Sequence, residues 1–150
     1  MNKPAGNPPV LDGSGRVGRC GIIGAMSTSA VARSYLESFA SADPDAVAAL
    51  VTADFVNEHT AALSSGSEGK DEYRRRLPGF LASFAGLRYE IEDLVAEGDR
   101  AAAMYTMRAI YEGHEIAVRG VMRIVVRDGL VAHRTDYYDA LGFLKQIGQA

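Results

Sequence analysis

Apolar positions along this chain repeat with two different periods, and the period changes at Gly86. Before Gly86 they recur every three or four residues, the spacing of one helix face. Val31, Tyr35 and Phe39, with Leu36 beside them, form one stripe and predict a helix over 29–40. Asp43-Pro44 starts a second helix, with Asp43 as N-cap and Pro44 at the first helical position. That helix is expected to carry Val47, Leu50 and Val51. A strand is predicted at 54–60 and a Ser/Gly-rich loop at 61–69. A third helix over 70–84 would bury Tyr73, Leu77, Phe80, Leu81 and Phe84, with Pro78 kinking or restarting it.

After Gly86 the alternation is strand-like, and strands are predicted at 87–96, 100–111, 115–127 and 130–138. Turns fall at Gly98, at Glu112-Gly113 and at Asp128-Gly129; the last is a strong short-range hairpin signal. A short helix over 140–147 follows. Helices followed by a long meander of antiparallel strands make the class α+β, with the helices on one sheet face. On the strand 100–111, Ala102, Met104, Thr106, Arg108 and Ile110 point one way, and Ala103, Tyr105, Met107, Ala109 and Tyr111 the other. Both faces are largely apolar, so each needs a cover. The helices supply one cover. A second copy of the chain, docked on the outer sheet face as a homodimer, is the expected other.

Residues 1–25 show neither period. They hold Pro4, Pro8 and Pro9 among frequent glycines, which predicts a flexible extension ahead of a domain at 26–150, with Met26 as the expected natural start. Gly13-Ser14-Gly15-Arg16-Val17-Gly18 matches the dinucleotide-binding pattern by letter, but the strand before it and the helix after it are missing, so it is read as accidental.

Composition narrows the function. The 150 residues are 47% hydrophobic and 23% charged, ordinary for a single globular domain. A net charge of −3 offers no basic footprint for nucleic acid or an anionic membrane, and no apolar run reaches membrane-spanning length. Cys20 is the single cysteine, which excludes an internal disulfide and a multi-cysteine metal site. A cytoplasmic protein without metal or cofactor is the expectation.

The element order, with Ala53-Asp54-Phe55-Val56-Asn57-Glu58-His59, Tyr105-Thr106-Met107-Arg108, and Arg127-Asp128-Gly129-Leu130-Val131 leading to Asp136-Tyr137-Tyr138-Asp139, resembles the nuclear-transport-factor-like cone fold. Within it the chain looks like the SnoaL-like group, which includes polyketide cyclases, limonene epoxide hydrolase and ketosteroid isomerase. The resemblance spans 29–148. It implies a cone-shaped α+β barrel, three N-terminal helices packed on a curved antiparallel sheet, around an apolar pocket for a small hydrophobic molecule. On the pocket face it would place Phe55, Asn57, His59, Met104, Thr106, Arg108, Ile110, Val118, Gly120, Met122, Arg134 and Asp136.

The resemblance also implies roles. Asp136 and Arg108 fall on the carboxylate and arginine of the epoxide hydrolases, making Asp136 a general acid/base with Arg108 as its charge partner. The second carboxylate of that set is Ile110 here, and its lid tyrosine is Asn57, so the chain departs from the epoxide pattern. His59 stands where the isomerases place their carboxylate base; a histidine there removes a proton next to a carbonyl near neutral pH. The second isomerase acid would fall at Gly120, which has no side-chain proton. The catalytic set is therefore Asp136, His59 and Arg108, with Asn57 and Arg134 holding substrate oxygens. Cofactor-independent isomerisation or aldol-type cyclisation fits these residues best. A non-catalytic binding module for a lipophilic metabolite and an altered epoxide hydrolase are the alternatives. Tyr111 and Tyr137 are read as outer-face residues, Arg74-Arg75-Arg76 as a solvated helix face, and His114 and His133 as peripheral.

Overall fold

Ser27 opens the first helix by accepting a hydrogen bond from the Ala30 amide at 3.1 Å. The computed structural model describes residues 26–150; the expected flexible extension, its Gly13–Gly18 pattern and Cys20 lie outside the described residues. Helix α1 (Thr28–Ser38) tightens into a 3-10 turn (Phe39–Ser41). Asp43 and Pro44 start α2 (Pro44–Ala48) in their expected roles, Asp43 accepting from the Asp45 amide. Val51 is not helical. It opens β1 (Val51–His59), because pairing with Val131 draws the strand in ahead of its predicted start. The predicted loop holds a short strand, β2 (Ser67–Glu68), hydrogen-bonded beside Val56 and Asn57. Helix α3 (Lys70–Ser83) continues through Pro78 without restarting; Pro78 is exposed, so the bond it cannot make is lost on the solvent side.

Four long strands follow: β3 (Ala85–Glu97), β4 (Arg100–Tyr111), β5 (His114–Arg127) and β6 (Leu130–Tyr138), then α4 (Ala140–Gln146). Glu112-Gly113 and Asp128-Gly129 close the last two hairpins with positive φ at both residues, 49° and 83°, then 55° and 76°. That backbone matches the twist of the flanking strands. The six strands form one curved, unclosed sheet in the order β2-β1-β6-β5-β4-β3. All neighbours are antiparallel except β1 and β6, which run parallel.

Register decides which side chains face the helices. The tight Glu112-Gly113 turn pairs Tyr111 with His114, which sets Met107 opposite Val118 and Tyr105 opposite Gly120. Directly opposed residues share a sheet face. Ala103, Tyr105, Met107, Ala109 and Tyr111 therefore face inward with Val118, Gly120 and Met122. Met104, Thr106, Arg108 and Ile110 face outward, the reverse of their expected placement. The core between helices and sheet is built on Tyr35, Leu36, Phe39, Val47, Val51, Phe55, Met122 and Ile124, all at most 1% exposed. Phe39 meets the rings of Tyr35 and Tyr89 edge-on, at 5.3 and 5.1 Å between centroids.

Candidate active site

Asp136 and Arg134 share the inward face of β6, as strand alternation requires, and both are almost fully buried. A bulge at Ala132, where the β5–β6 register shifts, turns this pair inward beyond Val131. Arg134 Nη2 donates to Asp136 Oδ2 at 2.9 Å, and Arg134 Nη1 donates to the Tyr35 hydroxyl at 3.0 Å. The Tyr35 hydroxyl is in turn 2.5 Å from that of Tyr73. On its other oxygen Asp136 accepts from the Tyr105 hydroxyl at 2.5 Å. One buried chain of hydrogen bonds thus runs from α3 through α1 and β6 to β4.

Gly120 makes the Tyr105 contact possible. A Cβ on Gly120 would lie 2.5 Å from the Tyr105 hydroxyl and 2.6 Å from the Tyr137 carbonyl oxygen. The glycine has no proton to offer, as its sequence position indicates. Its missing side chain admits a phenol that has one.

His59, at the end of β1, approaches from the side. Its Nδ1 stands 3.9 Å from Asp136 Oδ2, beyond direct hydrogen-bond length, and has no hydrogen-bond partner among the described residues. Burial first, and then the Arg134 cation, pull the imidazole down from the usual histidine value to about 4, with Asp136 opposing them. His59 is therefore neutral at pH 7, able to accept a proton. Burial and the neighbouring Asp136 push the Tyr105 phenol far above the ordinary tyrosine range, so it stays a donor.

These groups meet a cavity of about 400 Å³ between the sheet, α3 and α4. Phe80, Phe84, Met107, Val118 and Phe143 line it, with Ser64, Ser83 and Tyr138 among its polar residues. Tyr111 stacks near Phe84 and Phe143, at 4.8 and 5.2 Å between ring centroids, so it is a cavity residue rather than an outer-face one. A smaller chamber of about 210 Å³ adjoins it and shares His59, Ser65, Phe80 and Arg134 as boundary; Asn57 lines this chamber. Phe55 and Met122 are fully buried in the core beside the site.

Arg108 stands outside the cavity. On the outer face its Nε donates to Glu90 at 2.7 Å, and Thr106 donates to Glu92 at 2.6 Å. Ile110 is 46% exposed, and Met104 lies on the same outer face. Arg134 supplies the partner expected of Arg108. Tyr105, Tyr89, Tyr111 and Met107 are the site residues that sequence reasoning missed. The inward assignment of Val118 and Gly120, combined with the tight turn at Glu112-Gly113, was the signal that selects the three on β4; Tyr89 on β3 had no such signal. Of the remaining candidates, Tyr137 is exposed on the outer face, His133 contacts Glu58 there, and Arg75 and Arg76 pair with Glu72 on the surface of α3. Among the described residues no cluster of three or more His, Cys, Asp or Glu is placed to hold a metal, and no helix is long and apolar enough to cross a membrane.

The SnoaL-like domain model matches residues 32–134. No curated protein matches the sequence. Among solved structures, a protein from Catenulispora acidiphila with a ketosteroid isomerase-like fold, in complex with trimethylamine, superposes with a TM-score of 0.75 at 17% identity, covering 83% of this chain and 96% of that one. An epoxide hydrolase of the limonene epoxide hydrolase-like type from M. tuberculosis gives 0.70 at 20% identity over 80% and 91%. A protein assigned as a SnoaL-like polyketide cyclase from Shewanella denitrificans gives 0.73 at 13% identity over 82% and 98%. At these identities the likeness establishes the fold.

Proposed function

The chain belongs to the SnoaL-like domain family, whose fold carries cyclases, isomerases and epoxide hydrolases, and on that premise we propose a cofactor-independent acid/base enzyme acting on a hydrophobic carbonyl compound. The observation that carries the reading is the neutral His59, without a partner at Nδ1 among the described residues, beside the Asp136–Arg134 pair on the wall of a cavity rich in aromatic residues. A substrate in the larger cavity presents its carbonyl oxygen to Arg134 and the adjacent C–H to His59. His59 takes the proton, and the C–H electron pair moves onto the carbonyl oxygen as an enolate. Arg134 offsets the charge on that oxygen. Asp136, held by Tyr105 and Arg134, stabilises the imidazolium that forms. Where the substrate carries a β,γ C=C bond, the enolate is a dienolate, and returning the proton at its far carbon moves the double bond into conjugation and completes an isomerisation. Attack of the enolate on a second carbonyl of the same molecule, which then takes the proton, completes an aldol-type cyclisation.

Asn57 in place of the lid tyrosine, Ile110 in place of the second carboxylate and Arg108 outside the cavity all weigh against epoxide opening. A second reading, a module that only holds a lipophilic ligand, is favoured by one observation: both oxygens of Asp136 already accept bonds from the protein. The two readings part at Asp136→Asn. Thermal shift of wild type and variant against flat polyketides, steroids and terpene epoxides identifies the ligand class; ligand at a hundred times its Kd adds about 2.7 kcal/mol of stability. The enzyme reading expects turnover of that ligand to be lost in Asp136→Asn with the fold retained. Unchanged kcat in the variant favours the module.

A further inference from the structure

The half-open larger cavity follows the inward face of β4. Tyr105, bonded to Asp136, and Tyr111 both line it. Six residues of strand separate them, about 20 Å of extended chain. Around Tyr111 the cavity is bounded by rings from three elements: Phe84 just past α3, Tyr111 at the end of β4 and Phe143 on α4. Tyr111 contacts both of the others, and Phe84 and Phe143 are themselves 6.2 Å apart between centroids. No pair leaves room for a further ring between its members, so the three make a wall. Each is half-buried and presents ring surface.

Phe143 differs from the other two in what holds it. Helix α4 buries none of its own residues. Polar bonds fasten both its ends to β5, beyond Gly120, where the pairing of β5 with β6 stops. At the start, the Asp139 amide donates to the Arg119 carbonyl at 3.0 Å, and the Asp139 carboxylate accepts from the Gly142 amide at 2.9 Å. At the end, the Gln146 carboxamide stands in for a neighbouring strand. Its Oε1 accepts from the Ala117 amide at 2.7 Å, and its Nε2 donates to the Ala117 carbonyl at 2.9 Å. Ile147, just beyond the helix, adds a buried anchor. The helix is therefore placed without the Phe143 ring, whose neighbours are the rings of the wall.

We propose that Phe143 is a specificity-determining residue: an aryl group of the substrate packs on its ring, and the wall it completes fixes how far that group lies from the reacting carbonyl. The substrate is then an elongated ketone, with its carbonyl at Arg134 and His59 and an aryl ring at the opposite end. Edge-to-face contact with Phe143 favours an aryl ring over a saturated one. This rests on the reading of the larger cavity as the reaction site, and the test separates the two.

The probes are methyl ketones that carry a terminal phenyl group on a chain of one to five methylenes, with the cyclohexyl counterpart of each. Calorimetric titration gives their affinities for wild type, Phe143→Ala and Phe143→Leu, and circular dichroism melts show that each variant is folded. Deuterium exchange beside the same carbonyl reads the reaction separately. Burial alone would raise affinity steadily, about fourfold per methylene. Wild type should instead show an optimum of chain length. At that optimum cyclohexyl should bind about threefold more weakly than phenyl, although it is the more hydrophobic ring. Both variants should move the optimum to a longer chain, whose own ring fills the vacated place against Tyr111, and Phe143→Ala should erase the phenyl preference at the old length. A steady climb in wild type, a cyclohexyl ring that binds as tightly as phenyl, or an optimum that both variants leave in place overturns the role of Phe143, and exchange in wild type then still supports the reaction site. An optimum that moves as expected without exchange of any ketone keeps the wall and removes the reaction. Failure of every ketone to bind overturns both.

Discussion

Alanine at Gly120 would put a methyl group where the Tyr105 hydroxyl now meets Asp136. Both neighbours of that methyl are fixed, one a buried ring and one a backbone carbonyl, so Gly120→Ala should destabilise the fold by about 1–3 kcal/mol in urea unfolding. Tyr105→Phe tests the bond without the collision. It should cost about 1.5–3 kcal/mol, the range for a hydrogen bond to a charged group. It should also lower kcat while leaving KM nearly in place, since Tyr105 acts through Asp136. A variant as stable and as active as wild type would remove Tyr105 from the site. His59 links stability to pH. Its folded value of about 4 lies below the ordinary 6.5, so the unfolded chain binds the proton more readily between those values. The stabilisation is whole above pH 6.5 and is lost as pH falls toward 4, a change on the order of 3 kcal/mol that His59→Gln should abolish. The acid limb of kcat/KM should share that low midpoint; a limb near 6.5 would mean that another group takes the proton.

Strand β4 shows where the sequence was and was not readable. The helices, the caps at Asp43 and Pro44, the tight turns and the α+β order all follow from local chemistry. The inward face of β1, Phe55 with Asn57 and His59, follows from the family resemblance and strand alternation. On β4 both faces carry apolar residues, so the alternation alone does not choose between them. A shift of one position exchanges every side chain. The positional likeness to epoxide hydrolases chose Arg108, yet the wider family resemblance put Val118 and Gly120 inward, and the Glu112-Gly113 hairpin forbids both choices together. Strand β3 adds a second obstacle. A bulge near Glu92 shifts its register, so Leu94 and Ile91 both turn inward, and simple alternation from the Gly98 turn fails beyond it. The polar run Arg88, Glu90 and Glu92 marks the outer face that Arg108 and Arg119 complete. Helix α3 supplies a separate test. Pro78 is exposed within a continuous helix, so Pro78→Ala restores an amide without removing a contact, and unfolding should show a gain of about 1–3 kcal/mol. No gain would mean that the helix bends to satisfy the freed carbonyl.

At the scale of the molecule the sheet divides two tasks. Its inner face, closed by α1, α3 and α4, holds the two chambers. Its outer face is more polar than the sequence suggested: Arg108 with Glu90 and Arg119 with Glu92 cross it, between Met104, Val121 and the 47%-exposed Tyr137. Charges of both signs beside apolar residues suit a second copy of the same face, and the homodimer remains our proposal. Sedimentation at micromolar concentration should find a species of twice 16.0 kDa, and a monomer there would contradict it. The enzyme reading itself does not wait on the native substrate. A bicyclic ketone such as 2-tetralone has acidic C–H bonds beside its carbonyl and a size suited to the larger cavity. Its exchange of those protons for deuterium in D2O, followed by NMR with catalytic protein, tests the proton transfer directly. The account predicts saturable acceleration by wild type and a loss of about a hundredfold or more in a folded His59→Gln variant. Exchange at the wild-type rate in His59→Gln, or none in wild type while the ketone binds, would contradict it.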